Sequence, residues 1–354
     1  MGGKEFKMKA FVTGATGLLG NNLVRALVWE GYQVKALVRS KEKAQKQFGD
    51  LRNVEFIVGD IANVEDFAAH LDGCDVLLHT AAYFREYARR GDPENLLQKI
   101  NVDATVKLFQ EADRCGVKRG IFTSSSGTVG VKADGSAGDE TTAPAPIAYE
   151  NKYFHSKVQA EKALNEIAPT LKMEIVHILP GWMFGPGDAA PTGAGQLLLD
   201  FLHRRLPGTP DGGTKTADAR DVANAMVAAI TKARPNQRYI VGGNFYTLKE
   251  VFATLEKVSG VPAPRFVLPR FLMFAVAFLS ENVARLRGQE ANLTVMGVKT
   301  ISAKLKATNA LAERELGAKF RPLEETLRDT TEWFRENGYV KTSINAAPLA
   351  TEKV

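Results

Sequence analysis

The stretch Lys9-Ala10-Phe11-Val12-Thr13-Gly14-Ala15-Thr16-Gly17-Leu18-Leu19-Gly20 decides how this chain is read. An apolar run ends in spaced glycines, and a segment of helical character follows. Gly14 allows a tight turn between strand and helix, Gly17 lets the backbone approach a diphosphate, and Gly20 lets the helix pack close on the sheet. The first N–H groups of the helix then face the anion. The spacing is GxxGxxG, one residue wider than the common dinucleotide fingerprint. A strand before the glycines and a helix after them predict a nucleotide site built by Gly14, Thr16, Gly17, Leu18, Leu19 and Gly20.

Further strand-like runs recur at Gln33–Val38, Val54–Val58, Asp75–Thr80, Arg119–Ser124 and Glu174–Leu179. Helical stretches at 17–30, 94–115 and 150–168 lie between them. That rhythm predicts βαβ units on a parallel sheet. After Pro180 the prolines and glycines cluster, which predicts mostly loops around one apolar helix near Gln196–His203. From Ala217 onward the pattern is helical near 218–232, 247–259, 268–286, 302–316 and 322–337, with a short strand at Arg238–Val241. The tail 341–354 has little to bury and is expected to be mobile.

Composition excludes several classes. Of 354 residues 45% are hydrophobic and 24% charged, which suits a folded chain rather than a disordered one. The net charge of +6 is spread along the sequence, so it accommodates anionic ligands without implying nucleic acid. Cys74 and Cys115 form no metal-ligand or disulfide pattern, so no metal is expected and a reducing, cytoplasmic setting is. The amino terminus has no apolar run of the secretory kind. The run Phe271–Leu279 falls short of the roughly 20 residues needed to cross a bilayer as a helix.

The end of the second strand reads Val38-Arg39, with no acidic residue to accept from an adenosine ribose. Arg39 favours the 2′-phosphate of NADP(H), and Lys46 is placed to close over the same group. Asp60 and Ile61 after the third strand would flank the adenine, and Thr80, Ala81 and Ala82 after the fourth would line the channel. Pro180 completes the cofactor set together with Tyr153 and Lys157.

The fifth strand ends in Thr123-Ser124-Ser125-Ser126-Gly127-Thr128, and 28 residues after Ser125 comes Tyr153-Phe154-His155-Ser156-Lys157. Tyr153 and Lys157 share one helix face. A free tyrosine has a pKa of about 10, too high for acid–base work at neutral pH, and a neighbouring ammonium lowers it. Tyr153 can then protonate a carbonyl oxygen that Ser125 holds, while a nicotinamide supplies hydride. Ser126 is the alternative serine, on the substrate side. Asn101 is assigned to the catalytic group as the residue that fixes a water beside Lys157. His79 and His155 are read as structural.

With these residues in hand, the chain resembles an extended short-chain dehydrogenase/reductase across nearly all of residues 8–338. Within that superfamily it is similar to the dihydroflavonol reductase and 3β-hydroxysteroid dehydrogenase branch, and to hopanoid-associated sugar epimerases. The matching stretches are Thr13–Gly20, Val38-Arg39, Phe122–Val129, Tyr153–Lys157, Phe184–Asp188 and Ala219–Val222. The resemblance implies an α/β fold, a Rossmann-type doubly wound parallel sheet with a smaller, mainly helical substrate lobe. It divides the chain at 8–180 and 181–340, with 217–245 returning to the first domain. A homodimer is also common in the family. Sugar-nucleotide epimerases carry an Asn shortly before Gly185-Pro186-Gly187-Asp188, and Leu179–Phe184 offers none.

Tyr83, Phe84, Tyr87, Trp182, Met183, Leu197 and Leu198 form an apolar and aromatic set suited to a hydrophobic carbonyl compound. Arg85, Arg89 and Arg90 either hold an acidic group of that substrate or form a solvated run. The segment 266–286 reads either as a helix packed on the sheet or in a subunit interface, or as a membrane-surface lid. The expected activity is NADPH-dependent reduction of a ketone or aldehyde. The alternatives are an epimerase or dehydratase with no net cofactor use, and a non-catalytic dinucleotide sensor, against which the intact Ser125, Tyr153 and Lys157 argue.

Overall fold

The computed structural model describes residues 8–84, 93–287 and 293–340. Tyr87, Arg85, Arg89, Arg90 and the tail from 341 lie outside the described residues.

The predicted strand runs become β1 (Lys9–Thr13), β2 (Gln33–Val38), β3 (Val54–Val58), β4 (Val76–His79), β5 (Arg119–Thr123) and β6 (Glu174–Pro180). Six more strands follow: β7 (Trp182–Phe184), β8 (Thr209–Pro210), β9 (Gly213–Asp218), β10 (Arg238–Val241), β11 (Asn244–Thr247) and β12 (Val267–Leu268). One parallel sheet has the order β3-β2-β1-β4-β5-β6-β10. Its order reverses between β1 and β4, the crevice where doubly wound sheets bind ligands beyond their carboxyl ends.

The helices of the first half are α1 (Leu18–Trp29), α2 (Lys41–Phe48), α3 (Pro93–Leu97), α4 (Ala104–Arg114), α5 (Pro146–Glu150) and α6 (Lys152–Ile167). Those of the second half are α7 (Gly193–Leu202), α8 (Ala219–Lys232), α9 (Leu248–Ser259), α10 (Arg270–Arg287), α11 (Val295–Ser302), α12 (Ala310–Leu316) and α13 (Leu323–Glu336). Side chains alternate across a strand, so β1 feeds two cores. Ala10 and Val12 join Leu23 and Leu27 of α1 and Val222 and Met226 of α8 on one face. Phe11 joins Leu108 and Phe109 of α4 and Leu164 of α6 on the other. Burial on both faces is why these strands read as continuous apolar runs.

The second lobe corrects two expectations. The stretch after Pro180 is not mostly loops: β7, β9 and β11 form a three-stranded sheet. Its middle strand, Gly-Thr-Lys-Thr-Ala-Asp, carries little apolar signal, yet Lys215 and Thr216 are buried. The helix expected over 302–316 is instead α11 and α12 with a break between them. There Lys304 takes a left-handed φ of +47° and Thr308 N–H donates to Gly138 O at 2.8 Å, so the linker pairs with the loop after β5. The expected 94–115 helix is interrupted by a π-turn at Gln98–Asp103. Arg220 on α8 pairs with Asp218 and with Asp329 of α13, both at 2.6 Å, and Asp221 pairs with Arg321. These pairs fasten the lobe to the sheet domain. No helix among the described residues is long and apolar enough to cross a membrane.

Candidate active site

Of the predicted cofactor contacts, Gly14, Thr16, Gly17, Arg39, Asp60, Ile61, Thr80, Ala81, Ala82 and Pro180 fall at or just beyond the carboxyl ends of main-sheet strands, whereas Leu18, Leu19 and Gly20 open α1, Lys46 lies on α2, and Tyr153 and Lys157 lie on α6. After β1, Gly14 has φ +68°, and a Cβ there would stand 2.6 Å from Ala81 N. A Cβ on Gly20 would stand 2.1 Å from Gly14 O. Both positions exclude any side chain, and the turn closes with Gly17 N–H donating to Gly14 O at 3.0 Å. Gly17 differs: a Cβ there would meet only Gly14 O, at a contact distance of 3.4 Å, so a side chain fits without a clash but stands in the space where a ligand would approach. No side chain caps α1, whose first N–H groups stay open beside that space. Uncapped donors and a side-chain-free approach fit a diphosphate.

Around the turn, Arg39 and Lys46 are exposed at the end of β2 and on α2. Gln47 Nε2 donates to Thr16 O at 3.4 Å and ties α2 to the turn. Asp60 is exposed and its Oδ1 accepts from Ala62 N at 2.9 Å, beside the half-buried Ile61. Thr80 Oγ1 donates to Thr13 O at 2.7 Å, which clamps the Thr80-Ala81-Ala82 segment against the end of β1.

The catalytic side is built by β5 and α6. Asn151 caps α6 by accepting from Phe154 N at 3.0 Å, which sets Tyr153 in its first turn. Lys157, one turn on, is buried, and its Nζ donates to Thr123 O at 2.8 Å. The same Nζ lies 5.8 Å from the centre of the Tyr153 ring and 4.8 Å from that of Phe122. Burial drives the Lys157 ammonium down to about 7, and the Glu161 carboxylate opposes the fall. Thr123 lies two residues before Ser125, so this bond brings Lys157 to the serine-rich loop. Ser125 is buried, and its Oγ accepts from Gly127 N at 3.1 Å, which leaves the hydroxyl proton for another acceptor. Ser124 instead donates to Glu161, away from the site, and Ser126 is half-buried at the start of a 3₁₀ turn.

Asn101 is buried in the π-turn. Its amide accepts from Tyr83 N at 2.7 Å and donates to Tyr83 O and Ser156 Oγ, both at 2.9 Å. Ser156 Oγ in turn donates to Tyr153 O at 2.7 Å. Asn101 thus joins the loop after β4 to the first turn of α6. The ring of Phe84 meets Tyr153 edge-on at 4.6 Å. His79 stands between Thr13 and Thr105 hydroxyls at 2.6 and 3.0 Å, and burial holds it neutral with a pKa of about 3.

Tyr83, Trp182, Met183 and Leu197 are half-buried, whereas Leu198 is fully buried in the core of the second lobe and does not face a ligand. Sequence reasoning missed Glu161 and Arg238. One Glu161 oxygen takes the Ser124 hydroxyl and lies 2.9 Å from the Thr128 hydroxyl; the other faces Arg238 Nε at 2.7 Å. A hollow of about 410 Å³ opens behind this network, lined by Thr128, Val158, Glu161, Asn165 and Arg238 among others, but by none of Ser125, Tyr153 and Lys157. Glu161 was within reach of sequence reasoning, four residues past Lys157 on the same helix face. Arg238 was not, because its partner is 77 positions away.

This fold and site define an NAD(P)-dependent oxidoreductase of the extended short-chain dehydrogenase/reductase type. The chain belongs to the NAD dependent epimerase/dehydratase family, whose sequence pattern matches residues 10–242. It is 32% identical to a Synechocystis protein provisionally named dihydroflavonol 4-reductase, over 94% of this chain and 96% of that one. It is also 32% identical to sterol demethylase protein B of Methylococcus capsulatus, over 94% of this chain and 100% of that one. Among solved structures, the yeast methylglyoxal/isovaleraldehyde reductase Gre2, complexed with NADPH, aligns with a TM-score of 0.69 at 25% identity, over 94% of this chain and 100% of that one.

Proposed function

We propose that this protein is an NADPH-dependent reductase of a ketone or aldehyde borne on a hydrophobic small molecule. The observation that carries the reading is the Lys157 ammonium, buried, anchored on Thr123 O and 5.8 Å from the Tyr153 ring. A positive charge in that position favours the phenolate and makes Tyr153 a usable acid near neutral pH. Tyr153 gives its proton to the carbonyl oxygen, and the Ser125 hydroxyl donates to the same atom. A nicotinamide, when bound, supplies the hydride. Asn101 and Ser156 keep the start of α6 in register with the loop after β4, so they position Tyr153 without touching the reacting atoms.

Arg39 and Lys46 support NADPH over NADH, because a 2′-phosphate gives two exposed cations a dianion to pair with. The NADPH complex of the yeast reductase is in keeping with that choice. Tyr83, Phe84, Trp182 and Met183 support an apolar substrate, as do relatives named for a dihydroflavonol and a sterol.

The test is NADPH consumption, with NADH alongside, over a panel of hydrophobic ketones and aldehydes, repeated with Tyr153→Phe. Stoichiometric loss of NADPH is expected, falling by roughly 10²–10⁴-fold in the variant, the usual worth of a general acid. Tight NADPH binding with no net loss on any carbonyl would overturn the reductase reading in favour of an epimerase that oxidises and re-reduces one substrate.

A further inference from the structure

The hairpin of α10 and α11 takes no part in the catalytic arrangement. α10 packs through Met273 and Ala277 against Val298 of α11, and Ala284 continues the same buried line. The opposite side is bare: Phe271, Phe278, Leu279 and Leu286 are exposed by 76, 65, 64 and 88%. Their spacing of i, i+7, i+8 and i+15 puts them on one face. Phe266 and Val267, in the segment leading into the helix, are exposed by 76 and 55%. Single exposed apolar residues are ordinary on a protein surface, but a continuous ridge of this length marks an interaction site.

Among the described residues, the charges at the two ends of the ridge are positive. Arg265 and Arg270 lie at its start, Arg285 and Arg287 at its end, and all four are exposed. Among the described residues the one carboxylate between them is Glu281, which accepts from Val295 N at 2.8 Å and so is held toward α11, leaving four arginines against one carboxylate. A second copy of the chain docked here by a twofold axis would set the arginines of one copy near those of the other, whichever ends of the helices meet. Phosphate headgroups meet the same arginines with opposite charge, while acyl chains receive the phenylalanines and leucines.

We propose that α10 is a membrane-surface helix that lies in the plane of an anionic lipid bilayer, its apolar ridge in the acyl boundary and its arginines among the headgroups. At 18 residues it runs about 27 Å along the interface. α11 links it to the catalytic side. Thr300 Oγ1 is 3.3 Å from Asn151 Nδ2, and Lys299 pairs with Glu150 at 2.7 Å. Asn151 caps the helix that carries Tyr153, so docking brings that end of the enzyme toward the bilayer.

The experiment is co-sedimentation of the full chain with vesicles of phosphatidylcholine alone and of an equal mixture with phosphatidylglycerol, at low and high salt. Two variants go alongside: Phe271→Ser/Phe278→Ser/Leu279→Ser, and Arg265→Gln/Arg270→Gln/Arg285→Gln/Arg287→Gln. NADPH binding and Tm confirm that each is folded. The expected result is salt-sensitive binding to the mixed vesicles, weakened roughly tenfold or more in each variant, with NADPH affinity unchanged. The proposal is overturned by absence of binding to mixed vesicles, or by binding that neither variant weakens. A dimer that ignores vesicles and that the apolar variant splits into monomers also overturns it, since a second copy would then cover the ridge. NADPH affinity and vesicle binding are read separately, so the failure of this proposal leaves the reductase reading standing.

Discussion

The turn after β1 and the floor beneath Tyr153 lie on the same edge of the same sheet, yet different atoms hold them. At the turn, backbone meets backbone: Gly14 sits against Ala81 N and Gly20 against Gly14 O, with no room for a Cβ at either. At the floor, side chains from α6, β10 and the loop after β5 converge, with Lys157 on the backbone Thr123 O and Glu161 between Ser124, Thr128 and Arg238. A binding cradle for an anion works by leaving atoms out, so that N–H groups stay open. A proton-transfer site works by burying charge, because an ammonium tunes a phenol strongly only where water does not screen it.

Two glycine substitutions probe the first arrangement and have the largest expected effect. Gly14→Val forces a Cβ into the Ala81 backbone at a positive φ, for which we expect a loss of about 3 kcal/mol or more. That corresponds to a Tm lower by roughly 4 °C or more for a chain of this size. Gly17→Val meets only Gly14 O at a contact distance, so its Tm should stay within about 2 °C of wild type while NADPH binding weakens by an order of magnitude or more. Thermal melts with and without NADPH separate the two. Equal Tm losses would mean that the turn is held by sterics throughout, with no approach reserved for a ligand.

The same contrast explains what the sequence made legible. β1, β2 and β3 have the boundaries that their apolar runs predict: in β1 burial on both faces writes itself as continuous hydrophobicity, while in the edge strand β3, where only Ile57 is buried, the β-branched and aromatic residues carry the signal. Tyr153 and Lys157 were legible through helix spacing. The Glu161–Arg238 pair was not, since contacts between remote positions leave no local pattern. Asn101 was read as a residue of the catalytic group, but its bonds to Tyr83 and Ser156 are contacts that sequence spacing could not reveal. β9 escaped notice because its polar Thr-Lys-Thr core is buried by tertiary packing rather than by its own hydrophobicity. Leu198 was misplaced because an apolar residue near a binding loop looks the same whether it faces ligand or core.

At the rim of the cradle, where shape gives way to charge, the expected effect is smaller. Arg39→Ala should raise the NADPH dissociation constant by about 10- to 100-fold, the worth of charge-assisted hydrogen bonds to a phosphate, and leave NADH unaffected. Calorimetric titration of both cofactors checks it. A parallel loss for NADH would mean that Arg39 supports the fold of the cradle rather than the 2′-phosphate. The boundary drawn above between steric turn and charged rim would then move outward.

Glu161→Gln asks whether the floor acts on chemistry or only on stability. Burial lowers the Lys157 ammonium to about 7, and the Glu161 carboxylate favours its charged form. Below that pH the lysine is charged and supports Tyr153; above it the charge is lost, so the reductase rate in the free enzyme falls as pH rises through about 7. Removing the carboxylate disfavours the ammonium further, and the falling limb of kcat/KM moves to lower pH. Near pH 8 the loss should be on the order of three- to tenfold, and it should shrink toward about pH 5, where the ammonium is charged in both proteins. The substitution also leaves Arg238 facing a neutral amide, so some fall in Tm accompanies it. The limb is the discriminating readout, because lost stability scales the rate at every pH alike. If the profile drops without moving, the Glu161 network holds the serine-rich loop in place and does not tune Lys157, and the catalytic floor is steric scaffolding like the turn.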